Sequence, residues 1–155
     1  IGMGQGRNTV FMAAQGWDVT GVDISEKGVE LARKQAQGRN VKINAVVSDF
    51  AAFDLGKSQW DLISEMYMHG MVIVNSKRVV ESLRPGGMLV VEGFHQDSKL
   101  KGFNGRDLGF SVNELLEAFV THLRIVHYEE VHDFGDWSMN GAKVTLIRML
   151  ASKKS

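Results

Sequence analysis

The stretch whose reading decides the fold is Ile1-Gly-Met-Gly-Gln-Gly-Arg-Asn8, followed by Val22-Asp-Ile-Ser25. Glycines at every second position make a loop that no regular helix tolerates, and they let backbone N–H groups approach a ligand closely. Working outward, Asn8 to Gln15 reads as a short helix stopped by Gly16, and Trp17 to Ile24 as a strand with Asp23 at its end. Ser25 caps a helix over Glu26 to Gln37, which Gly38 closes. Val41 to Val47 is a strand with Val41, Ile43, Ala45 and Val47 on one side. A dinucleotide fingerprint needs glycines at its first, third and sixth positions. Counted from Gly2 the sixth is Arg7, and counted from Gly4 it is Thr9, so that fingerprint fails.

Beyond Asp49 and Phe50, the segment Trp60 to Met66 is a strand and Met71 to Leu83 a helix, with Val72, Val79, Val80 and Leu83 at helical spacing. Arg84-Pro-Gly-Gly87 ends that helix, and Met88 to Phe94 is a buried strand. Gln96 to Gly109 is a long polar loop, and Ser111 caps a helix to Phe119. Leu123 to Phe134 and Ala142 to Ala151 alternate as the strands of an antiparallel hairpin. Strands alternating with helices argue for an α/β domain with a mostly parallel sheet and an antiparallel edge.

The chain has 155 residues, 44% of them hydrophobic and one of them proline, which fits one domain from 1 to 155 and excludes a disordered or collagenous chain. Eighteen basic and eighteen acidic residues cancel, so no electrostatic footprint for nucleic acid or an anionic membrane is present. Without cysteine there is no disulfide, thiolate metal site or cysteine nucleophile, which suits a cytoplasmic protein. No apolar run reaches the roughly twenty residues a bilayer span needs.

Three motifs in order resemble the class I S-adenosylmethionine-dependent methyltransferases: Ile1-Gly-Met-Gly-Gln-Gly-Arg-Asn8, Val22-Asp-Ile-Ser25, and Leu83-Arg-Pro-Gly-Gly-Met-Leu-Val-Val-Glu92. The Gly-Arg-Asn continuation is similar to the small-molecule branch of tellurite-resistance and thiopurine methyltransferases. The resemblance covers nearly the whole chain. It implies a three-layer Rossmann-like fold whose first strand is largely missing, because Ile1 would be that strand's last residue. It also implies S-adenosyl-L-methionine as cofactor and methyl transfer to a small-molecule acceptor.

On this resemblance Gly2, Gly4 and Gly6 back the cofactor's methionine and ribose, and Asp23 accepts its ribose hydroxyls, with Ile24 beside it. Asp49 accepts from the adenine amino group, and Phe50 covers the ring, although core packing suits Phe50 equally and Phe53 could take either role. Glu65 is placed on the cofactor side. Met66, Tyr67 and His69, after the fourth strand of the family, open the substrate pocket, with Tyr67 and His69 as the candidates for chemistry. Helix-entry packing for Tyr67 and a surface cap for His69 are the bland alternatives. Phe94, His95 and Arg106 are further pocket candidates, Arg106 having the alternative of a solvated pair with Asp107. His127 and Glu129 share one strand face and His132 the other, so no metal site is expected. Glu129, Glu130, Asp133 and Asp136 read as a solvated edge. A cofactor-binding module without turnover and a nicotinamide-dependent dehydrogenase are the rival readings.

Overall fold

The computed structural model describes residues 1–68, 70–101, 108–135 and 142–154. They form two compact units, Ile1–Asp54 and Leu55–Ser155. In the first unit the chain enters beside strand β1 (Thr20–Asp23), where Met3 donates its N–H to the Val22 carbonyl at 3.1 Å. The glycine loop then turns into helix α1 (Arg7–Ala14). Gly6 stands at the helix start with φ +85°, and a Cβ there would lie 2.6 Å from the Ala32 Cβ. That contact sets how closely α1 packs on helix α2 (Glu26–Gly38), and only glycine allows it.

Helix α2 forms where the sequence expects it. The Ser25 hydroxyl accepts the Gly28 N–H at 3.1 Å, and Val29, Ala32 and Ala36 are buried along one face. The Val41 N–H returns to the Ala36 carbonyl at the helix end. Strand β2 therefore spans Asn44–Val47, shorter than the predicted 41–47. It runs parallel to β1, with Asp23 opposite Val47.

The second unit holds β3 (Trp60–Met66), α3 (Met71–Val74), α4 (Ser76–Ser82), β4 (Leu83–His95), β5 (Gly109–Phe110), α5 (Glu114–Phe119), β6 (Leu123–Phe134) and β7 (Lys143–Lys153). Its sheet has the order β3-β4-β7-β6, with β5 added on β4. β3 and β4 are parallel, and the β6–β7 hairpin continues the sheet antiparallel, as the sequence expects. One register shift, between Ile125 and His127, places Val126 as an extra residue in β6.

Four expectations change. The single helix predicted over 71–83 is two, because Asn75 turns its side-chain amide onto the Met71 carbonyl at 2.9 Å and leaves helical geometry. Strand β4 starts at Leu83, opposite Trp60, and not at Met88. The loop predicted from Gln96 to Gly109 contains a 3₁₀ turn (Gln96–Ser98) and leads into β5. Ser111 does not cap α5 with its side chain. Its N–H donates to the Glu114 carboxylate at 2.8 Å, and Asn113 precedes the helix at φ 59°.

The core of the second unit includes Ile63, Leu89, Val91, Leu115, Phe119, Leu123, Ile147 and Met149, each at most 5% exposed. Val91 pairs with Met149 across β4 and β7, so alternate residues of adjoining strands form one buried face. Arg148, Glu92 and Met66 lie in a second cross-strand row on the other face. Among the described residues no helix is long and apolar enough to cross a membrane.

Candidate functional site

Asp23 ends β1, and its carboxylate organises the glycine loop. Oδ2 accepts the Gly4 N–H at 2.7 Å and Oδ1 accepts the Ser25 N–H at 2.8 Å. Each oxygen of an ionised carboxylate has about two acceptor positions, so both can take a further hydroxyl proton. Gly4 has φ +51°, and a Cβ built on it would find nothing within 4 Å. The loop therefore presents backbone with open space beside it. Ile24 follows Asp23 and is 72% exposed, an apolar surface next to the carboxylate.

Asp49 lies just past β2 and is exposed. Its Oδ1 accepts the Ala51 N–H at 2.8 Å, and its carbonyl accepts from Ala52 and Phe53, so a tight turn orients the side chain. Phe50 is 4% exposed and belongs to the core, whereas Ile24 offers its surface outward. Of the two, Ile24 has the open apolar face.

In the second unit Glu65 ends β3 fully buried. Its Oε1 accepts the Met68 N–H at 2.7 Å, while Oε2 is buried with no hydrogen-bond partner among the described residues. Burial pushes this carboxyl up to about 7, against the lowering by the Met68 N–H. Tyr67 follows at φ 62°, a conformation costly for a bulky side chain. Its ring tilts on Phe94 with centroids 4.9 Å apart, and the pair packs with Leu146, Met66, Val131 and Val144. The structure thus brings Met66, Tyr67 and Phe94 together. His95 faces the other side of β4 at 2% exposure. His69 and Arg106 lie outside the described residues, as do Asp107 and Asp136.

Sequence reasoning missed Glu92 and Arg148. The Tyr67 hydroxyl donates to Glu92 Oε1, and Arg148 Nε donates to Glu92 Oε2 at 2.6 Å. Arg148 Nη1 reaches Glu129 at 3.1 Å and Asp133 at 3.2 Å. These partners, Glu92 first, hold the guanidinium above its ordinary range. The Phe134 N–H and then Arg148 hold the Asp133 carboxyl below its own. The signal was a charge inside each of two apolar strands, Met-Leu-Val-Val-Glu92 and Thr-Leu-Ile-Arg148, since a buried charge needs a partner.

The described part of the acidic stretch, Glu129, Glu130 and Asp133, lies on the edge strand β6, Glu130 exposed and the other two part-exposed, and it also binds partners. Glu129 and Asp133 serve Arg148, and Glu130 accepts from the Tyr128 hydroxyl at 2.7 Å and the Asn113 N–H at 3.1 Å. The Tyr128 hydroxyl, and then the Asn113 N–H, hold the Glu130 carboxyl below its usual range. Burial and then Glu130 push the Tyr128 phenol up. His127 stands 3.5 Å from Glu129, at 57% exposure. Among the described residues no group of three His, Asp or Glu side chains is placed to hold a metal ion.

Residues 1–87 match the methyltransferase domain family. The ribosomal protein L11 methyltransferase of Dictyoglomus turgidum is 28% identical over 119 residues, covering 76% of this chain and 39% of that protein. The ubiquinone biosynthesis O-methyltransferase of Rickettsia akari is 29% identical over 102 residues, covering 64% and 40%. The chain thus spans about two fifths of the length of these curated relatives. The crystal structure of TehB from Haemophilus influenzae superposes with a TM-score of 0.81 at 23% identity, over 99% of this chain and 56% of that one, a likeness of fold. With a glycine loop bound to the acid that ends β1, and a family match over more than half its length, the chain belongs to the S-adenosylmethionine-dependent methyltransferase domain family.

Proposed function

We propose that this chain binds S-adenosylmethionine and takes part in methyl transfer to a small-molecule acceptor by in-line displacement. The observation that carries the reading is the Gly4 N–H bound to Asp23 Oδ2, because it ties an open glycine backbone to a carboxylate with acceptor capacity left over. These residues fit the cofactor: the open side of Gly4 backs its methionine and ribose portions together with Gly2 and Gly6, and Asp23 accepts the ribose hydroxyl protons. Asp49 accepts from the adenine amino group, and Ile24, with Phe50 behind in the core, supplies apolar surface for the ring.

When bound, the cofactor supplies an electrophilic methyl group on a sulfonium, so holding the acceptor in line provides much of the acceleration. Tyr67 and Phe94 offer an aromatic pair for a flat acceptor, with Glu92 orienting the Tyr67 hydroxyl. Glu65, assigned to the cofactor side, has a carboxyl able to hold or release a proton near neutral pH. Met66, His69 and Arg106 complete the candidate acceptor residues, His69 and Tyr67 being those for proton transfer, whereas His95, on the other face of β4, does not join them.

The small-molecule reading draws on the relative named for ubiquinone biosynthesis. A protein acceptor is the second reading, favoured by the relative named for ribosomal protein L11. Release of S-adenosylhomocysteine, measured with a panel of phenols and thiols and with ribosomal protein, separates the two. Cofactor binding without turnover on any of them would leave a binding module. Calorimetric titration with S-adenosylmethionine and with a nicotinamide dinucleotide tests the cofactor, and tight binding of only the latter would sink the proposal.

A further inference from the structure

His95 is the last residue of β4 and is 2% exposed, yet two carboxylates face it. Its Nδ1 accepts the Asp97 N–H at 3.2 Å, which caps the 3₁₀ turn. The Asp97 Oδ2 stands 3.3 Å from the same nitrogen. On the far side of the ring, Nε2 has no hydrogen-bond partner among the described residues and lies 3.6 Å from Glu130 Oε2. Glu130 in turn holds, through Oε1, the Tyr128 hydroxyl of β6 and the Asn113 N–H before α5. Among the described residues, the charged or titratable groups facing His95 are Asp97 from the 3₁₀ turn and Glu130 from β6, with Tyr128 beyond Glu130. The surroundings are close-packed. His95 pairs with Phe110 of β5, and a Cβ on Gly109 would come within 2.4 Å of the His95 carbonyl carbon.

An imidazole that accepts at Nδ1 and is neutral must carry its proton on Nε2. That N–H then points at Glu130 across a gap too long for a normal hydrogen bond. A second proton would go on Nδ1, where it meets the Asp97 N–H, donor against donor. The cap must break, and the new Nδ1–H has the Asp97 carboxylate as its nearest acceptor. The ring's positive charge then draws Glu130 toward Nε2, since a charge-assisted hydrogen bond is shorter and stronger than a neutral one. Glu130 holds the Asn113 N–H with the same carboxylate, so its movement reaches the start of α5.

We propose that His95 is a proton-operated clasp: neutral, it caps the Gln96–Ser98 turn through Nδ1, and protonated, it releases that cap and pairs with Asp97 and Glu130, changing how Asn113 is held. The clasp connects the end of β4 with the start of α5 without using the cofactor, so it stands apart from the methyl-transfer reading. It makes the geometry of this region depend on pH (a property that reading does not require).

Nuclear magnetic resonance of the intact chain, labelled with ¹⁵N, tests it. At pH 8 His95 is expected as the Nε2–H tautomer. On acidification the ring resonances of His95 and the Asp97 and Asn113 amide resonances should step together. Glu130→Gln should move that common step to lower pH, and Asp97→Asn should move it less, because Asp97 is the more exposed partner. His95→Gln should abolish the step at both amides, while Asn113 keeps its ordinary exchange protection if the variant folds. An Nδ1–H tautomer at pH 8, or amides that do not move with the ring, would each overturn the clasp. None of these outcomes depends on whether S-adenosylmethionine binds.

Discussion

Asp23 and Glu65 hold the same topological position, an acid at the carboxyl end of a strand with a parallel neighbour, and their surroundings differ in kind. Asp23 is part-exposed and receives two backbone N–H groups, one on each oxygen. Glu65 is fully buried, receives one, and among the described residues leaves its second oxygen without a partner. Strand ends deliver carboxylates to a ligand-binding rim in open α/β sheets. What each carboxylate can do there is set by how many donors the following turn returns to it. The glycine loop and Ser25 return two to Asp23, which keeps an acceptor for hydroxyl groups in place. The Met66–Met68 turn returns one to Glu65, which makes a group poised to change protonation near neutrality.

The comparison breaks most severely if the glycine loop loses its seat. Gly6→Val forces a branched side chain into a left-handed backbone and against Ala32, and should destabilise by about 4 kcal/mol, the sum of a backbone and an overpacking penalty. Urea unfolding measures it, and a loss below 1 kcal/mol (about a fivefold change in the folding constant) would show that α1 and α2 separate without cost.

Next is the Glu65 side. A folded-state value of about 7 against 4.5 for the exposed group means the native chain binds the proton that the unfolded chain releases between those pH values. Stability is therefore highest below pH 4.5 as far as this group is concerned, and falls as pH rises to about 7, by about 3 kcal/mol in all. Glu65→Gln should flatten that fall in denaturation curves taken at pH 5, 6, 7 and 8. Parallel curves for the two proteins across that range would contradict the burial argument.

Asp23→Ala sharpens the other half. Loss of the ribose acceptor and of the Gly4 tether should weaken S-adenosylmethionine binding about 100-fold, about 2.7 kcal/mol, while circular dichroism stays native. Unchanged affinity by calorimetry would remove Asp23 from the cofactor site. The smallest effect belongs to the charge row on β4, β7 and β6. Glu129→Gln should cost less than about 0.5 kcal/mol because Arg148 keeps Glu92 and Asp133, whereas Arg148→Met should cost about 2 kcal/mol by leaving those acids without their cation. Equal costs for the two variants would mean that the row does not act as one network.

The first half of the molecule was legible because its determinants are local. Ser25 before Glu26, and the glycines of the loop, act within a few residues of themselves, so the cap and turns could be read directly. The strand ends were less legible where side chains and backbone compete, as at Asn75, which divides a helix whose apolar spacing runs on unbroken. Hardest to see were pairings across the sheet. Glu92 and Arg148 are 56 residues apart, and only the strand order β4-β7 makes them neighbours. Separation in sequence likewise concealed the link from His95 to Glu130.

The extra residue in β6 works as a frame shift written into the strand. Leu123 and Ile125 sit opposite Lys153 and Ala151, after which Val126 is skipped and His127 takes Leu150 as its partner. Every side chain from His127 to Phe134 is thereby turned over relative to an unbroken alternation. Pairing Val126 with Leu150 instead of skipping it would set Glu129 opposite Ile147 and carry Glu130 to the face of Arg148. Two separate polar groupings, one around a guanidinium and one around an imidazole, thus share a single inserted valine as their common phase. A family member of different strand length on this edge has to re-establish both at once or lose both.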